Sequence, residues 1–285
     1  MLSAAELTLL GRLDLARRRP LSGMYAGERR SPRAARSPEF ADFRPYSPGD
    51  DFRQIDWRAF ARLERLMLRL YVAEEESSLN VVVDTSGSMA LGSPPKWPAA
   101  RKLAAAVTFL GLAAMDRVAA GVLGGSAHTP HLRGRDGAGR LLSFLQRLEP
   151  GGSAGPGDLP GLRWPRPGLT VIISDFLNEE PWGSALAGLR HRRQEPVLWQ
   201  VLAPDEEAPG LRGDLKLVDV ESEAGRELTV TPSLVQDYLQ ALQAHRERLR
   251  RAAGGAWGRF LHSGSQDDLE ASMLAGLRAG VVTRS

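Results

Sequence analysis

Four short segments, each apolar almost throughout, punctuate the middle of the chain: Leu79–Val83, DRVAAGVLGG (116–125), LTVIISDF (169–176) and PVLWQVLAP (196–204). Between them lie stretches of helical character. PKWPAARKLAAAVTFLGLAAM (95–115) is alanine-rich and amphipathic, and AGRLLSFLQRLEP (138–150) and WGSALAGLRHR (182–192) repeat the pattern at shorter length. A strand apolar along its whole length is buried on both faces, whereas a half-exposed strand alternates. Strands of this kind, each followed by a helix, predict an α/β fold with a mostly parallel sheet and helices on both faces. This expectation constrains the chain more than any other, because it also says where a ligand would sit. In an open parallel sheet, ligands gather at the carboxyl ends of the strands.

The flanks break the alternation. SAAELTLLGRLDLARR (3–18) reads as one helix, with Ser3 and Glu6 at capping-box spacing and Leu7, Leu10 and Leu13 at helical intervals. Residues 20–50 carry Pro, Gly, Ser and Arg without periodicity and read as an arm or loop; residues 51–65 again suit a helix. RLMLRLYVAE (65–74) alternates Leu66, Leu68, Leu70 and Val72, a strand with one wet face. Beyond the fourth apolar strand, LKLVDVES (215–222) and RELTV (226–230) flank EAGR as a small β-hairpin insertion. A long helix follows over 232–255, with Pro232 in its first turn and Gly254–Gly255 at its end. AWGRFL (256–261) suits a last strand and DDLEASMLAGLRAG (267–280) a last helix. The predicted organisation is an N-terminal helix and arm over 1–76, packed on an α/β domain over 77–285.

Two of the apolar runs end in a carboxylate. VVVDTSGSM stops at Asp84 and continues with Ser86 and Ser88; VIISDF stops at Asp175. Paired acids at the tips of central strands are costly unless something positive lies between them. Between the two in sequence, EPGGSAGPGD places Ser153 after two glycines in a loop. Asp84, Ser86, Ser88, Ser153 and Asp175 are all oxygen donors, a set suited to Mg²⁺ (or Mn²⁺) with water completing the shell. Other chemistries fit less well. DTSGSM is not the G-x-S-x-G elbow of a serine hydrolase, and no phosphate loop of the G-x-x-x-x-G-K-[ST] type is present. None of His128, His131, His191, His245 and His262 stands in a motif that would make it a general base, and His128 and His131 read as an exposed pair.

The order D-x-S-x-S, then GGS, then ISD resembles the von Willebrand factor A domain with its metal-ion-dependent adhesion site. The resemblance implies a Rossmann-like sheet in which Asp84, Ser86, Ser88 and Asp175 share one ion; Ser153 stands where that family usually has threonine. Upstream, FADFRPYSPGDDFRQIDWRAFARLERLMLRLY (40–71) is similar to the signature of a bacterial branch, the domain of unknown function fifty-eight. Phe43, Arg44, Tyr46, Pro48, Gly49, Asp50, Asp51, Arg53, Ile55, Asp56, Trp57, Ala61 and Arg62 carry that similarity. Within this block, Pro48-Gly49-Asp50 suits a turn and a following Asp a helix cap. Arg53, Asp56 and Arg62 suit a buried ion-pair network around Trp57. The resemblance implies a metal-dependent protein-interaction module in which a partner's acidic residue completes the coordination, with a MoxR-type AAA+ ATPase as that partner.

Composition limits the alternatives. Cysteine is absent among the 285 residues, so disulfides, thiolate zinc sites and cysteine nucleophiles are all excluded. The N-terminus makes a poor signal peptide, and no stretch approaches the ~18 consecutive apolar residues of a membrane span. The expectation is therefore a cytoplasmic protein without a membrane partner. Arginine is clustered at Arg17, Arg18, Arg19, Arg29, Arg30, Arg33 and Arg36, and again at Arg246, Arg248, Arg250 and Arg251, although the net charge is only +3. Without interleaved aromatics these clusters do not favour nucleic acid over a plain solvated face. Two rivals to the interaction module stand: a Mg²⁺-dependent phosphoesterase or hydrolase using Asp84, and a nucleic-acid binder acting through the arginine arm.

Overall fold

The structure is a computed structural model, and it describes residues 2–16, 39–47, 50, 55–72, 78–162, 164, 166–178, 180–218, 220 and 225–284. At its centre the four apolar runs become β4 (Ser78–Asp84), β5 (Arg117–Leu123), β6 (Gly168–Ser174) and β7 (Gln194–Leu202). They form a five-stranded sheet with β10 (Arg259–Gly264), in the order β10-β7-β6-β4-β5, and every neighbouring pair is parallel. The α/β expectation, a parallel sheet covered on both faces, is what the chain adopts. The order also fixes a topological switch. From β4 the chain goes to β5 on one side, then returns to β6 on the other. The crevice of such a sheet opens at that point, outside the carboxyl ends of the strands.

Side chains alternate across each strand. Leu79, Val81 and Val83 face one apolar cluster, while Val82 faces the other. The first cluster is covered by α3 (Lys96–Ala113), with α1 (Ala4–Leu10), α4 (Gly134–Arg147) and α8 (Leu269–Arg278) around it. The second is covered by α5 (Gly183–His191), α7 (Pro232–Gly255) and the 3-10 segment Pro156–Gly161. Helix α3 is buried along much of its length because alanine and glycine let it sit close to the sheet. Gly111 shows how close: a β-carbon there would lie 2.4 Å from Leu79 Cδ2 and 3.0 Å from Val118 Cγ2.

The predicted N-terminal helix is shorter than its leucine spacing suggests. The Ser3–Glu6 capping box forms, but the helix stops at Gly11, and Leu13–Leu15 becomes a strand, β1. Its alternating Leu13 and Leu15 are buried, and it pairs antiparallel with β11 (Val282–Arg284), which has no sequence signal of its own. Residues 1–18 thus belong to one compact unit with 77–285, and residues 19–76 form a second. The hairpin insertion is present as β8 (Gly213–Val218) and β9 (Gly225–Val230), followed by α7, capped by Thr231. The short α6 itself spans Pro204–Glu207.

Within the second unit, the arm read as a loop contains a strand. β2 (Glu39–Pro45) pairs antiparallel with β3 (Met67–Val72) through an irregularity between Phe40 and Asp42. Asp50 closes a turn by accepting from the Ser47 amide at 2.9 Å, and α2 (Trp57–Leu63) follows. Of the expected buried ion-pair network around Trp57, the described residues include Asp56 and Arg62, while Arg53 lies outside them. Asp56 is buried but accepts from the Arg58 and Ala59 amides as the cap of α2, Arg62 is exposed, and Trp57 is 62 % exposed. A short helix capped at Asp56 turns the next side chain outward. Arg53, Pro48, Gly49 and Asp51, and the arginines from Arg17 to Arg36, lie outside the described residues.

Two substitutions test this packing. An exposed helical Gly→Ala gains about 1 kcal/mol of stability, but Gly111→Ala should instead lose about 1–3 kcal/mol through overpacking against Leu79; a gain in urea unfolding would show the helix to be looser than described. Glu6 accepts from the Ser3 amide, and from Lys102 of α3 at 2.9 Å. These contacts hold its carboxyl at about 2 against an ordinary 4.5. A depressed acid stabilises the fold at pH above its unfolded value and stops doing so as pH falls through its folded one. Glu6→Gln should cost about 1 kcal/mol at neutral pH. In urea titrations that gap should close as pH falls from 4.5 towards about 2; a gap independent of pH would mean that the carboxylate is not responsible.

Candidate functional site

β4 and β6 are neighbours, so the acids that end them meet at the switch point. Asp84 and Asp175 are each only 3 % exposed. Around them the chain supplies donors in a fixed order. Asp84 Oδ1 accepts from the Ser86 amide at 2.7 Å, and Asp84 Oδ2 accepts from the Ser174 hydroxyl, its neighbour across the sheet. The Ser86 and Ser88 hydroxyls lie 2.9 Å apart, and Ser88 Oγ donates to Asp175 Oδ2 at 2.8 Å. Asp175 Oδ1 accepts from the Leu177 amide at 3.1 Å, and Gln200 holds the Asp175 carbonyl at 2.8 Å. Asp84, Ser86, Ser88 and Asp175 thus form one hydrogen-bonded group.

The loop after β4 is braced from two sides. Thr85 Oγ1 donates to the Leu123 carbonyl at 2.7 Å, tying it to the end of β5. The glycine loop Gly151–Gly152 joins it through Gly151 N to Thr85 O at 2.7 Å and Gly87 N to Gly152 O at 2.8 Å. That loop brings Ser153 alongside by its backbone, but the Ser153 side chain is exposed and stands apart from the hydrogen-bonded group of the other four. Gly152 has φ +77°, a backbone state that glycine adopts at little cost.

The loop after β6 carries strain. Phe176, next to Asp175, has φ +54°, an uncommon region for a bulky residue. Three contacts hold it there. Its amide donates to Ser174 Oγ at 2.8 Å, its carbonyl meets His245 Nε2 at 2.6 Å, and its ring packs edge-on to Trp182 at 4.9 Å. Strain persists only where the surroundings over-determine it, and such positions cluster at functional sites.

Sequence reasoning missed one member of the site. Lys96, the first residue of α3, has a fully buried side chain whose Nζ donates to Asp175 Oδ2 at 2.7 Å and to Glu206 Oε1. Glu206 is held in turn, accepting from the Ala203 amide at 2.8 Å through its other oxygen. Burial works against the Lys96 ammonium, but Asp175 and Glu206 outweigh it and its pKa is raised, so it stays charged. Asp84 has no such cation. Burial, then the charge of Asp175, push its carboxyl up. The ammonium thus serves Asp175 and Glu206, and among the described residues no cation is paired with Asp84. The donors are carboxylates and hydroxyls, the chemistry that a hard divalent cation takes. Among the described residues no three His, Asp or Glu side chains form a metal-binding group, so an ion here would depend on the serine hydroxyls.

The other candidates stand away from this chemistry. His128 is exposed and bonds to the Ser126 carbonyl, whereas His131 is half-buried and meets Asn80 of β4 at 2.9 Å, so the two do not form an exposed pair. In the second arginine cluster, Arg246 is bound to Gln200 at 2.9 Å and Glu207 at 2.6 Å. Arg250 pairs with Glu247, and Arg248 lies 3.2 Å from His245.

Comparison with known proteins adds the family. Over 254 residues the chain is 34 % identical to an uncharacterized protein of Mycobacterium tuberculosis, covering 85 % of this chain and 80 % of that one. Among solved structures it is similar to the conserved hypothetical protein BatB from Bacteroides thetaiotaomicron, at 13 % identity and TM-score 0.42, over 70 % of this chain and 94 % of that one. An aerotolerance-related membrane protein from Bacteroides fragilis is similar at 13 % identity and TM-score 0.41, over 70 % and 97 % of the two chains. One of these neighbours is named as a membrane protein, and the expectation of a cytoplasmic protein is withdrawn. That expectation rested on the lack of an apolar span. No helix among the described residues is long and apolar enough to cross a membrane, but this does not fix a compartment. The model of the family "Protein of unknown function DUF58" matches residues 42–248, and the chain belongs to that family.

Proposed function

We propose that this chain is a protein-interaction module that seats a divalent cation, Mg²⁺ or Mn²⁺, at the carboxyl ends of its central strands and receives an acidic side chain of a partner protein. One observation carries the reading: the buried, hydrogen-bonded grouping of Asp84, Ser86, Ser88 and Asp175 at the switch point of the sheet. Asp84, Ser86 and Ser88 would hold the ion. Asp175 would support them through Ser88, and Ser153 would need to turn inward from its exposed position to join. The hydroxyls contribute no charge, so the ion keeps positive charge for an external carboxylate. The segments that carry the seat also expose apolar side chains, Leu91 at 47 % and Leu177 at 40 %, and Val220, between β8 and β9, is 44 % exposed and lies against Gly87. A charged centre with an apolar border suits a protein surface better than a small metabolite. The candidate partner remains a MoxR-type AAA+ ATPase, on the strength of the family resemblance.

Two measurements test the reading. Mg²⁺ or Mn²⁺ should raise the melting temperature, because a ligand of the native state alone stabilises it by mass action. Asp84→Ala should abolish that shift; an unchanged shift would put the ion elsewhere. In chelated protein the same variant should melt no lower than wild type, since it removes one of two facing carboxylates. Capture of a MoxR-type ATPase by wild-type protein should be lost on Asp84→Ala and, reversibly, with EDTA. Capture that is equal in all three samples would end the adhesion reading, and turnover of phosphoesters that disappears with Asp84 would favour a hydrolase.

A further inference from the structure

Lys96 sits at an unfavourable place for a lysine. It opens α3, whose first turn contains no acidic residue, and a helix N-terminus repels positive charge. Its side chain is entirely buried, where an unpaired ammonium would be very costly. Helix formation therefore does not explain it, and its two carboxylate partners do. The partner oxygen matters more than the pairing. Asp175 Oδ2 receives both Lys96 Nζ at 2.7 Å and Ser88 Oγ at 2.8 Å. A carboxylate oxygen has two lone pairs, so this one is filled. Asp175 Oδ1 already accepts from the Leu177 amide, which leaves the residue little capacity for an incoming ion. Ser88, by contrast, can give its oxygen to an ion and keep donating its proton to Asp175.

We propose that Lys96 sets the affinity of the seat: it is a tethered cation that holds Asp175 away from direct coordination. This rests on the divalent-ion reading above. Lys96 turns Asp175 into an outer support, reached through Ser88, and leaves Asp84 as the one carboxylate in direct contact with the ion. The ion is then bound weakly and keeps more of its charge for a partner's carboxylate. Glu206 is the second half of the device. It draws Lys96 towards α6, and it is itself fixed by the Ala203 amide, with its carbonyl accepting from Tyr238 of α7 at 2.7 Å. Seat, α6 and α7 are thereby linked through one ammonium.

The test is Mn²⁺ binding to the full chain, followed by calorimetry and by the electron paramagnetic resonance of free Mn²⁺. Lys96→Met frees Asp175 Oδ2 and removes a positive charge, and should tighten Mn²⁺ binding about tenfold or more. Glu206→Gln leaves Lys96 with Asp175 alone and removes a nearby negative charge, so it should weaken binding several-fold. Affinity equal to or weaker than wild type in Lys96→Met would overturn the proposal and leave the seat standing. If that variant does not fold, Glu206→Gln decides alone: unchanged or tighter binding overturns it. No Mn²⁺ binding by wild type or either variant would sink the seat, and this proposal with it. Binding in Lys96→Met alone would show that the ammonium excludes the ion from the natural chain, and would overturn both the seat and this proposal.

Discussion

Two carboxyl groups, Asp84 and Asp175, are buried side by side at the ends of adjacent parallel strands, and much of the surrounding structure follows from having to hold them there. Like charges in a poorly hydrated place repel strongly, and each needs donors. The solution differs for the two. Asp175 takes an ammonium, a hydroxyl and an amide, whereas Asp84 takes an amide and a hydroxyl and has its carboxyl pushed up. The ammonium in turn has to be held. Lys96 needs Glu206, Glu206 needs the first turn of α6, and α6 lies where β7 ends. A single electrostatic problem thus reaches from the tips of β4 and β6 to the segment that follows β7.

The fold supplies the rest of the solution by geometry. At the switch point the chain leaves β4 in one direction and β6 in the other, so the two loops diverge and leave a crevice. Ser174 works on both sides of it, donating to Asp84 and accepting from the Phe176 amide. That amide belongs to the residue with the left-handed backbone, so the strained turn and the buried acid share one hydroxyl. Trp182 and His245 hold the same turn from α5 and α7. The sheet therefore fixes where the acids are, and the helices fix how the loops leave them.

Some of this was legible in the sequence. β4 to β7 are apolar throughout because both faces of each are covered, and such runs stand out. Asp84, Ser86, Ser88 and Asp175 stood out for the opposite reason, as polar residues ending apolar runs. β1 and β11 were not legible: they are three residues each, and each is paired as a strand with the other, at opposite ends of the sequence. Leu13 continued the helical spacing of Leu7 and Leu10, and Gly11 was the stop signal that the spacing masked. β2 lies in a stretch without clear periodicity and is defined by its pairing with β3. Trp57 misled because a large aromatic suggests a core, yet Asp56 caps the helix and turns it outward. Lys96 was hidden inside an otherwise convincing helical pattern. The signal that could have found it was its position, a lysine in the first turn of a helix with no acid beside it.

The same hydrogen bonds bear on whether the site holds or transforms what it meets. A serine becomes a nucleophile when a neighbouring base can take its proton. Ser88 does face a carboxylate, but Asp175 Oδ2 also accepts from an ammonium, so both of its lone pairs are taken. Ser86 is engaged with Ser88, and the Ser174 hydroxyl is committed to Asp84. The nearest histidine contact, His245 Nε2, is with the Phe176 carbonyl rather than with a serine. Among the described residues each of these serine hydroxyls is thus committed to a carboxylate or to another serine, and the group concentrates oxygen donors in one crevice. On the reading proposed above, such an arrangement keeps a cation in place, with Lys96 limiting how firmly.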